Sequence, residues 1–326
     1  MLASKKIKLV FTDKYKEFVP DDRDQLFRLI SRNYDISLSD APDYLIYSQV
    51  GYRHMTYDCI KIEHIAENTA PDFNEADYSI GMHPIEFGDR YVRLPLFADS
   101  PEYFALKERV NPPSKEWLLN RKFCSYVVSN GSGDPIRRRF FEALSQYKKV
   151  DSGGRYMNNV GGPVPDKKAF CSQYKFNIAF ENSVSPGYTT EKLIQPLSYF
   201  TLPIYFGNSS LEDDFYADCM VRVKDESDID RAIEEIVYLD THDEAYLHRV
   251  TAPCLVKPIG YYEEKVEAFL RHIFDQPLAE ARRTMRYGHQ AYERAYKHHL
   301  YSVYEQIRPI DRVVQKVRGC IAKKVI

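Results

Sequence analysis

The stretch from Tyr174 to Asn208, YKFNIAFENSVSPGYTTEKLIQPLSYFTLPIYFGN, limits the fold more than any other part of this chain. It opens on a β-like apolar run, Phe176 to Phe180, and closes on another, Leu202 to Phe206. Between them a Ser/Pro/Gly loop leads into a segment whose length predicts a helix of roughly three turns. Two apolar runs joined by such a crossover predict parallel strands of a βαβ unit. The loop-to-helix joint is Pro186-Gly187-Tyr188-Thr189-Thr190-Glu191-Lys192. Gly187 permits backbone conformations closed to other residues. Either threonine can cap the helix, which turns free N–H groups and the positive dipole end outward. Lys192 adds a full positive charge, and phosphate oxygens are what such a corner attracts. An ordinary capped helix on a parallel sheet fits the same spacing.

At 326 residues the chain exceeds one ordinary core, so two domains are expected. Residues 6–12 predict a buried first strand and 22–33 a short amphipathic helix. Strands follow at 36–38, 43–48, 59–66, 78–82 and 91–96. Asn111-Pro112-Pro113-Ser114 reads as a linker. A second α/β pattern then starts: a strand at 123–129, the Gly-rich turn Asn130 to Pro135, and a helix over 136–147 carrying Arg137, Arg138 and Arg139. A short strand at 149–151 leads to Ser152-Gly153-Gly154-Arg155. Beyond the βαβ unit come a strand at 220–224 and helices at 228–238, 243–250, 261–275 and 278–299. Two α/β units with a ligand cleft between them are the expected architecture.

Three features of the second unit suit phosphate: loop 130–137, loop 152–155 and corner 186–192. None follows GxxxxGK[ST], and no GxGxxG sits after a strand. That argues against a P-loop nucleotidase and the usual dinucleotide fold. Main-chain N–H groups with Arg and Lys fit a nucleotide diphosphate, whose charge on leaving those cations would stabilise. Glu212-Asp213-Asp214 is the one acidic run that approaches a metal-binding DxD site, and its expected role is a solvated loop. In the first unit, Glu67 follows the strand ending His64-Ile65-Ala66. A carboxylate at the carboxyl end of a strand is placed for general-base work, although from the residues alone a loop-capping role is the commoner one. His54, His64 and His83 are competing bases, and none has an evident Ser or Cys nucleophile.

Composition adds limits. The formal net charge is −2, yet from Arg282 onward eleven Lys and Arg face three Asp and Glu. Basic residues gathered in a terminal tail, with an acidic body, argue against nucleic-acid binding. The six cysteines are far apart without CxxC spacing and read as reduced, mostly buried thiols of a cytosolic protein. There is no signal-peptide pattern, and no apolar run approaches the ~18–20 residues that cross a bilayer. The chain reads as soluble, or at most peripheral to a membrane. Aromatic faces suit sugar rings, but 26 tyrosines do not by themselves select sugar recognition.

FCSYVVSN (123–130), SQYKFNIAFEN (172–182), GYTTEK (187–192) and LPIYFGN (202–208) strongly resemble the α-1,3-fucosyltransferases of glycosyltransferase family 10, bacterial type. The likeness extends through ENTAPDFNEADYSIG (67–81), RYVRLPL (90–96) and YLDTHDEAYL (238–247). It implies a GT-B fold, α/β, with two Rossmann-like domains facing across a cleft. Residues 1–115 would form the acceptor side, 116–300 the GDP-fucose side, and 301–326 a basic amphipathic tail. It implies inverting transfer from GDP-fucose, without an obligatory metal or cofactor, to a glycan hydroxyl. The implied linkage is α-1,3 to GlcNAc or a similar sugar of a lipopolysaccharide or capsular glycan. Glu67 matches the acidic residue of the family's E-N-x-x-P-x-F motif, regarded as the general base. Asn182, Tyr188, Glu191 and Lys192 fall on the donor-binding motif, with Lys192 toward the diphosphate and Glu191 toward the ribose hydroxyls. Arg137, after the Ser129-Asn130 loop, matches a family arginine. Arg155 is the expected diphosphate arginine, although bacterial members place an arginine two positions later, where this chain has Met157. Pro196 inside the crossover helix is another departure and predicts a kink or a shortened helix. Another GDP-sugar donor, or a non-catalytic glycan- or nucleotide-binding protein on the same fold, are the alternatives.

Residues 311–326, DRVVQKVRGCIAKKVI, set Val313, Val314, Val317, Cys320 and Ile321 at helical spacing among five Lys and Arg. Such a helix suits an anionic membrane or a docking face on its own protein. The resemblance leans toward the membrane, which implies a cytoplasmic protein peripheral on the inner face of a bacterial cytoplasmic membrane. The expected partners are GDP-fucose and an oligosaccharide or lipid-linked glycan acceptor, touched by loops 34–49 and 51–58.

Overall fold

The structure, a computed structural model, describes residues 5–16 and 18–322, and their side chains apart from those of 108 and 312–322. In chain order the first elements are strand β1 (Lys5–Thr12), helix α1 (Gln25–Ser31) and strands β2 (Tyr34–Leu38), β3 (Tyr44–Tyr47), β4 (Ile60–His64), β5 (Tyr78–Gly81) and β6 (Tyr91–Arg93). Helices α2 (Pro101–Ala105) and α3 (Lys115–Leu119) follow, then β7 (Lys122–Tyr126), α4 (Ile136–Tyr147), β8 (Val150–Ser152), α5 (Lys167–Cys171) and β9 (Tyr174–Phe180). The chain continues with α6 (Glu191–Ser198), β10 (Leu202–Phe206), β11 (Val221–Arg222), α7 (Ile229–Thr241) and α8 (Asp243–Thr251). It ends in α9 (Tyr261–Asp275), α10 (Leu278–Ala281) and α11 (Gly288–Ala322). The strands form two sheets, ordered β2-β1-β3-β4-β5-β6 and β11-β10-β9-β7-β8. Contacts divide the described residues into two units: the first takes 5–80, 87–91 and 269–322, the second 81–86 and 92–268.

In the first unit β1 buries Ile7 and Leu9, and its neighbours β2 and β3 both run parallel to it. Strands β3, β4 and β5 continue the parallel order, so the loops after β1, β3 and β4 emerge at one end of the sheet. Asp24 caps α1 by accepting from the Phe27 N–H at 2.8 Å, which satisfies one of the helix's unpaired donors. The sequence-based boundary near residue 300 assigned 269–300 to the second domain, but these residues pack on the first unit. The reason is aromatic: Phe274 meets Tyr34 and Tyr44 edge-on at 5.3 and 4.7 Å, and Phe269 meets Tyr78 at 5.8 Å. The single helix expected over 278–299 is broken as well. Asp77 Oδ1 accepts from the Arg283 N–H, the Thr284 N–H and the Thr284 hydroxyl at 2.8, 2.7 and 2.8 Å, which draws those groups out of a helical ladder. Gly288, at φ +79°, then starts α11. That helix runs unbroken by any boundary at 301; residues 323–326, and the side chains from Arg312 on that carry the amphipathic pattern, lie outside the described residues.

Buried Glu63 on β4 gives this unit a pH signature. Burial raises its pKa to about 7, against hydrogen bonds donated by the Asp72 N–H and the Ser79 hydroxyl. The unfolded chain releases this proton near pH 4.5, while the folded one keeps it to about 7. The folded state therefore binds more protons in that window, and stability is lost as pH rises through it. Wild type is expected to lose up to about 3 kcal/mol relative to Glu63→Gln between pH 4.5 and 8, read from urea midpoints at each pH. Parallel curves for the two proteins would contradict this.

In the second unit every strand pair is parallel. All seven residues of β9 are buried, the pattern of a central parallel strand covered on both faces. Phe176, Ile178 and Phe180 join Phe140 of α4 and Ile236 of α7 in one core. Helix α6 spans eight residues, shorter than the crossover expected, and Pro196 lies inside it. The Pro196 carbonyl accepts from the Tyr199 and Thr201 N–H groups at 3.1 and 2.9 Å, turning the chain directly into β10. Short helices capped by Ser100 and Ser114 flank Asn111-Pro112-Pro113-Ser114, which is itself non-helical. The five cysteines whose side chains are described are buried, unpaired thiols.

Candidate active site

In the second unit, the carboxyl ends of β7, β8, β9 and β10 emerge side by side, because all their pairings are parallel. This is the end at which open α/β sheets bind ligands. The loops there interlock through close backbone approach. The Tyr156 N–H donates to the Val128 carbonyl at 3.0 Å, and a Cβ on Gly154 would fall 1.9 Å from that carbonyl oxygen. Only glycine lets the loops after β7 and β8 lie so close. Met157 takes the left-handed backbone at φ +53°.

The loop after β9 leads to the N-terminus of α6, and Gly187 shapes the turn. Its φ is +82°, and an added Cβ would sit 2.3 Å from the Met82 carbonyl oxygen. Its N–H donates to Asn208 Oδ1 at 2.6 Å, and Asn208 Nδ2 donates to Thr189 Oγ1 at 3.1 Å. Gly187→Ala is therefore expected to destabilise the protein by about 2 kcal/mol or more, from backbone strain and the clash together. The check is a urea titration, and an unchanged midpoint would contradict it.

Thr190 is the N-cap of α6, and its side chain accepts from the Lys192 N–H at 3.4 Å. The structure adds a residue that sequence reading passed over. Glu181, at the end of β9 in the FEN motif, is fully buried. Its carboxylate accepts from the Thr190 N–H at 2.8 Å and from the Thr190 hydroxyl at 2.8–2.9 Å, and it pairs with Lys192 Nζ at 3.2 Å. A carboxylate that only accepts, facing three donors, fixes the first turn of α6 and the ammonium together. Burial pulls the Lys192 pKa down, but Glu181 and then Glu191 outweigh it and hold the ammonium above its usual value. Glu191 is exposed, 3.3 Å from Lys192, and its burial-driven rise is overcome by Lys192 and Lys167, leaving its pKa low. Tyr188 is buried, and its carbonyl accepts from the Tyr205 hydroxyl at 3.4 Å.

Arg137, in the first turn of α4, is turned inward. It is 2% exposed, and donates to Asn182 Oδ1 at 3.0 Å, to the Asn130 carbonyl at 3.1 Å and to the Tyr126 hydroxyl at 3.4 Å. The Asp134 N–H donates to the Asn182 carbonyl at 3.0 Å, so Arg137 and Asn182 together tie the loop after β7 to the end of β9. Arg155 is exposed and makes no ion pair or hydrogen bond among the described residues. The acidic run after β10 is not the solvated loop expected. Asp214 is 1% exposed and takes both Arg93 N–H ends at 2.7 and 2.6 Å, which leaves Glu212 and Asp213 at the surface. Among the described residues no group of three His, Cys, Asp or Glu is placed to hold a metal ion.

In the first unit Glu67 lies exposed, three residues beyond the end of β4. Tyr15, from the loop after β1, donates its hydroxyl to Glu67 Oε1 at 2.5 Å. Among the described residues Oε2 accepts no hydrogen bond, so a second donor can approach it. His64 is 3.2 Å from Lys14 Nζ, and burial together with that lysine drives its pKa well down. A histidine held neutral beside an ammonium is a poor rival base. His54 is engaged by Asp13, whose carboxylate lies 2.7 Å from Nδ1.

Residues 9–99 match the profile of the α-(1,3)-fucosyltransferase FucT N-terminal domain, and residues 117–250 match the C-terminal profile of glycosyltransferase family 10 (fucosyltransferase). The α-(1,3)-fucosyltransferase FucT of Helicobacter pylori is 35% identical over 262 residues, which is 68% of this chain and 54% of that protein. A GDP-fucose protein O-fucosyltransferase 3 of Xenopus tropicalis is 30% identical over 166 residues, 46% of this chain and 35% of that protein. The chain thus spans about half the length, or less, of these curated relatives. A crystal structure of an α1,3-fucosyltransferase with GDP-fucose superposes at TM-score 0.72 and 29% identity, covering 85% of this chain and 93% of that one. The structure of an α1,3-fucosyltransferase with GDP superposes at 0.71 and 29%, covering 84% and 92%. These matches agree with the α/β, GT-B type fold that the sequence led us to expect.

Proposed function

The chain belongs to glycosyltransferase family 10, the fucosyltransferases, and on that premise we propose that it is itself an inverting fucosyltransferase. The donor is GDP-β-L-fucose and the acceptor a glycan hydroxyl, α-1,3 on GlcNAc or a similar sugar of a lipopolysaccharide or capsular glycan. Glu67 takes the proton of that hydroxyl through Oε2 while the oxygen bonds to C1 of fucose. The bond from C1 to the diphosphate breaks in the same step, its electron pair leaves with GDP, and the new linkage is α. Lys192 and the N-terminus of α6 meet the charge that develops on the leaving diphosphate. Arg155 is the second cation on that group, and Glu191 takes the ribose hydroxyls. Tyr188 and Asn182 line the donor side, with Arg137 positioning Asn182. The basic segment 311–326 holds the protein near lipid-linked acceptors on an inner membrane face; no helix among the described residues is long and apolar enough to cross one.

The observation that carries this reading is the ammonium of Lys192, held by buried Glu181 at a helix N-terminus inside the family-matched stretch. A donor panel of GDP-fucose and GDP-mannose, with N-acetyllactosamine as acceptor, tests it by GDP release and by the anomeric NMR signal of the product. Consumption of GDP-fucose with an α-fucoside as product is expected. Preference for GDP-mannose, or consumption of neither donor, would contradict it.

A further inference from the structure

The connection from β3 to β4 crosses the first unit with a single 3₁₀ turn, Arg53–Thr56, in place of an α-helix. Helix α11 covers that gap from the other end of the chain. The Tyr301 ring stands 5.8 Å from Tyr52, Lys297 Nζ lies 2.5 Å from Asp72, and His298 Nε2 lies 2.9 Å from Glu75. The cover is incomplete. A groove of about 590 Å³ remains between α11 and the two loops, lined by Tyr52, Met55, Asp72, Lys297, Tyr301 and Tyr304 among others.

Its volume falls within the range of about 300–1,000 Å³ typical of small-molecule sites. Its chemistry is narrower than that. Tyr52 and Tyr304 are 56% and 42% exposed, so their faces are open to a flat apolar surface. The Asp72–Lys297 pair, about a third exposed on each side, offers an acceptor and a donor in the same wall. A pyranose ring carries both complements: a C–H face for the aromatic rings and hydroxyls for the pair. The position agrees. Tyr52 lies on the connection after β3, and Asp72 on the crossover from β4 to β5, five residues after Glu67.

We propose that this groove binds the sugar rings of an oligosaccharide acceptor beyond the ring that reacts. They lie on Tyr52, Tyr301 and Tyr304, with hydroxyls bonded to Asp72 and Lys297. The proposal rests on the fucosyl-transfer reading for its role, but not for the binding itself. An acceptor of several sugars is then held more tightly than a monosaccharide, and the groove selects for chain length.

The test uses the full chain with lacto-N-neotetraose as probe, in saturation-transfer NMR and in initial-rate kinetics. Wild type is expected to saturate protons of the probe. Tyr301→Ala is expected to weaken that signal and to raise the acceptor KM about five- to tenfold, with the loss in KM rather than kcat and with recovery in Tyr301→Phe. Lys297→Ala serves if Tyr301→Ala fails to fold. No saturation of the probe by wild type, or equal signals and KM within twofold in both alanine variants, would overturn the proposal. So would a change of oligomeric state in Tyr301→Ala with the probe signal intact, which would make this face a contact between copies. A probe signal lost in Tyr301→Ala, from a protein that consumes no GDP-fucose, would support the groove and remove the fucosyl-transfer reading instead.

Discussion

Glu67→Gln is expected to lower the turnover number for fucosyl transfer by roughly a hundred- to ten-thousand-fold, the contribution of a positioned general base. The amide keeps the size of the side chain and can still accept from the Tyr15 hydroxyl, which bonds Glu67 Oε1 at 2.5 Å. What it loses is the basic oxygen at the second position. The attacking hydroxyl then carries its proton into the transition state, and the loss belongs in kcat more than in the acceptor KM. Glu67 is exposed and bonds one side chain, so its replacement should cost little stability. A quenched-flow or GDP-release assay at saturating donor reads the effect. Turnover within threefold of wild type would remove Glu67 as the base.

Lys192→Ala is the second large effect. Loss of a cation aimed at a leaving diphosphate is expected to reduce kcat/KM by roughly a hundred- to a thousand-fold. Lys192→Arg should recover only part of it, because a planar guanidinium does not reproduce the compact ammonium that Glu181 and the Thr190 hydroxyl hold at 3.2 and 3.1 Å. The alanine variant also leaves Glu181 as a buried carboxylate with Thr190 as its remaining partner. Burial already raises the Glu181 pKa above its usual value, so without the ammonium that rise grows. The folded variant then holds the Glu181 proton at pH values where the unfolded chain has released it, and its stability falls as pH rises through that window. Kinetics taken well below the melting temperature separate the two effects. A variant that loses stability yet keeps wild-type kcat/KM would make Lys192 a structural residue.

Local signals in the sequence located the turn and helix around Gly187 and Lys192. Gly187 stands at the positive φ that its loop context suggests, and Thr190 caps the helix that Lys192 enters. The bounds of α4 and α9 agree with the apolar periodicity, because each buries a face at helical spacing, and β10 matches its apolar run, all five residues of which are buried. Pro196 shortened α6 as its missing N–H requires. What escaped was set by partners far off in the chain. Glu181 reads as one more charge at a strand end until the fold returns Lys192 to it, eleven residues later. Asp214 reads as a solvated acid until Arg93, more than a hundred residues earlier, reaches it with both N–H ends. Arg137 reads as one of three adjacent arginines on a helix, and only the fold brings it the Tyr126 hydroxyl from β7, the Asn130 carbonyl from the following loop and Asn182 from the end of β9. The return of 269–322 to the first unit rests on Phe274 between Tyr34 and Tyr44, a contact that no periodicity encodes. Glu181 had one legible sign, its fixed place between Phe180 and Asn182 in the motif that carries the family likeness.

The central claim is that Glu181 and Lys192 form one device for the donor diphosphate. Calorimetric titration of GDP into wild type, Lys192→Ala, Glu181→Ala and the double variant tests it most directly. A charge-assisted bond to phosphate contributes about 1.5–3 kcal/mol, so Lys192→Ala should weaken GDP about ten- to a hundredfold. Glu181→Ala should weaken it through the same lysine, and the double variant should bind no worse than Lys192→Ala alone. GDP affinity unchanged by Lys192→Ala, or losses that simply add in the double variant, would contradict the account.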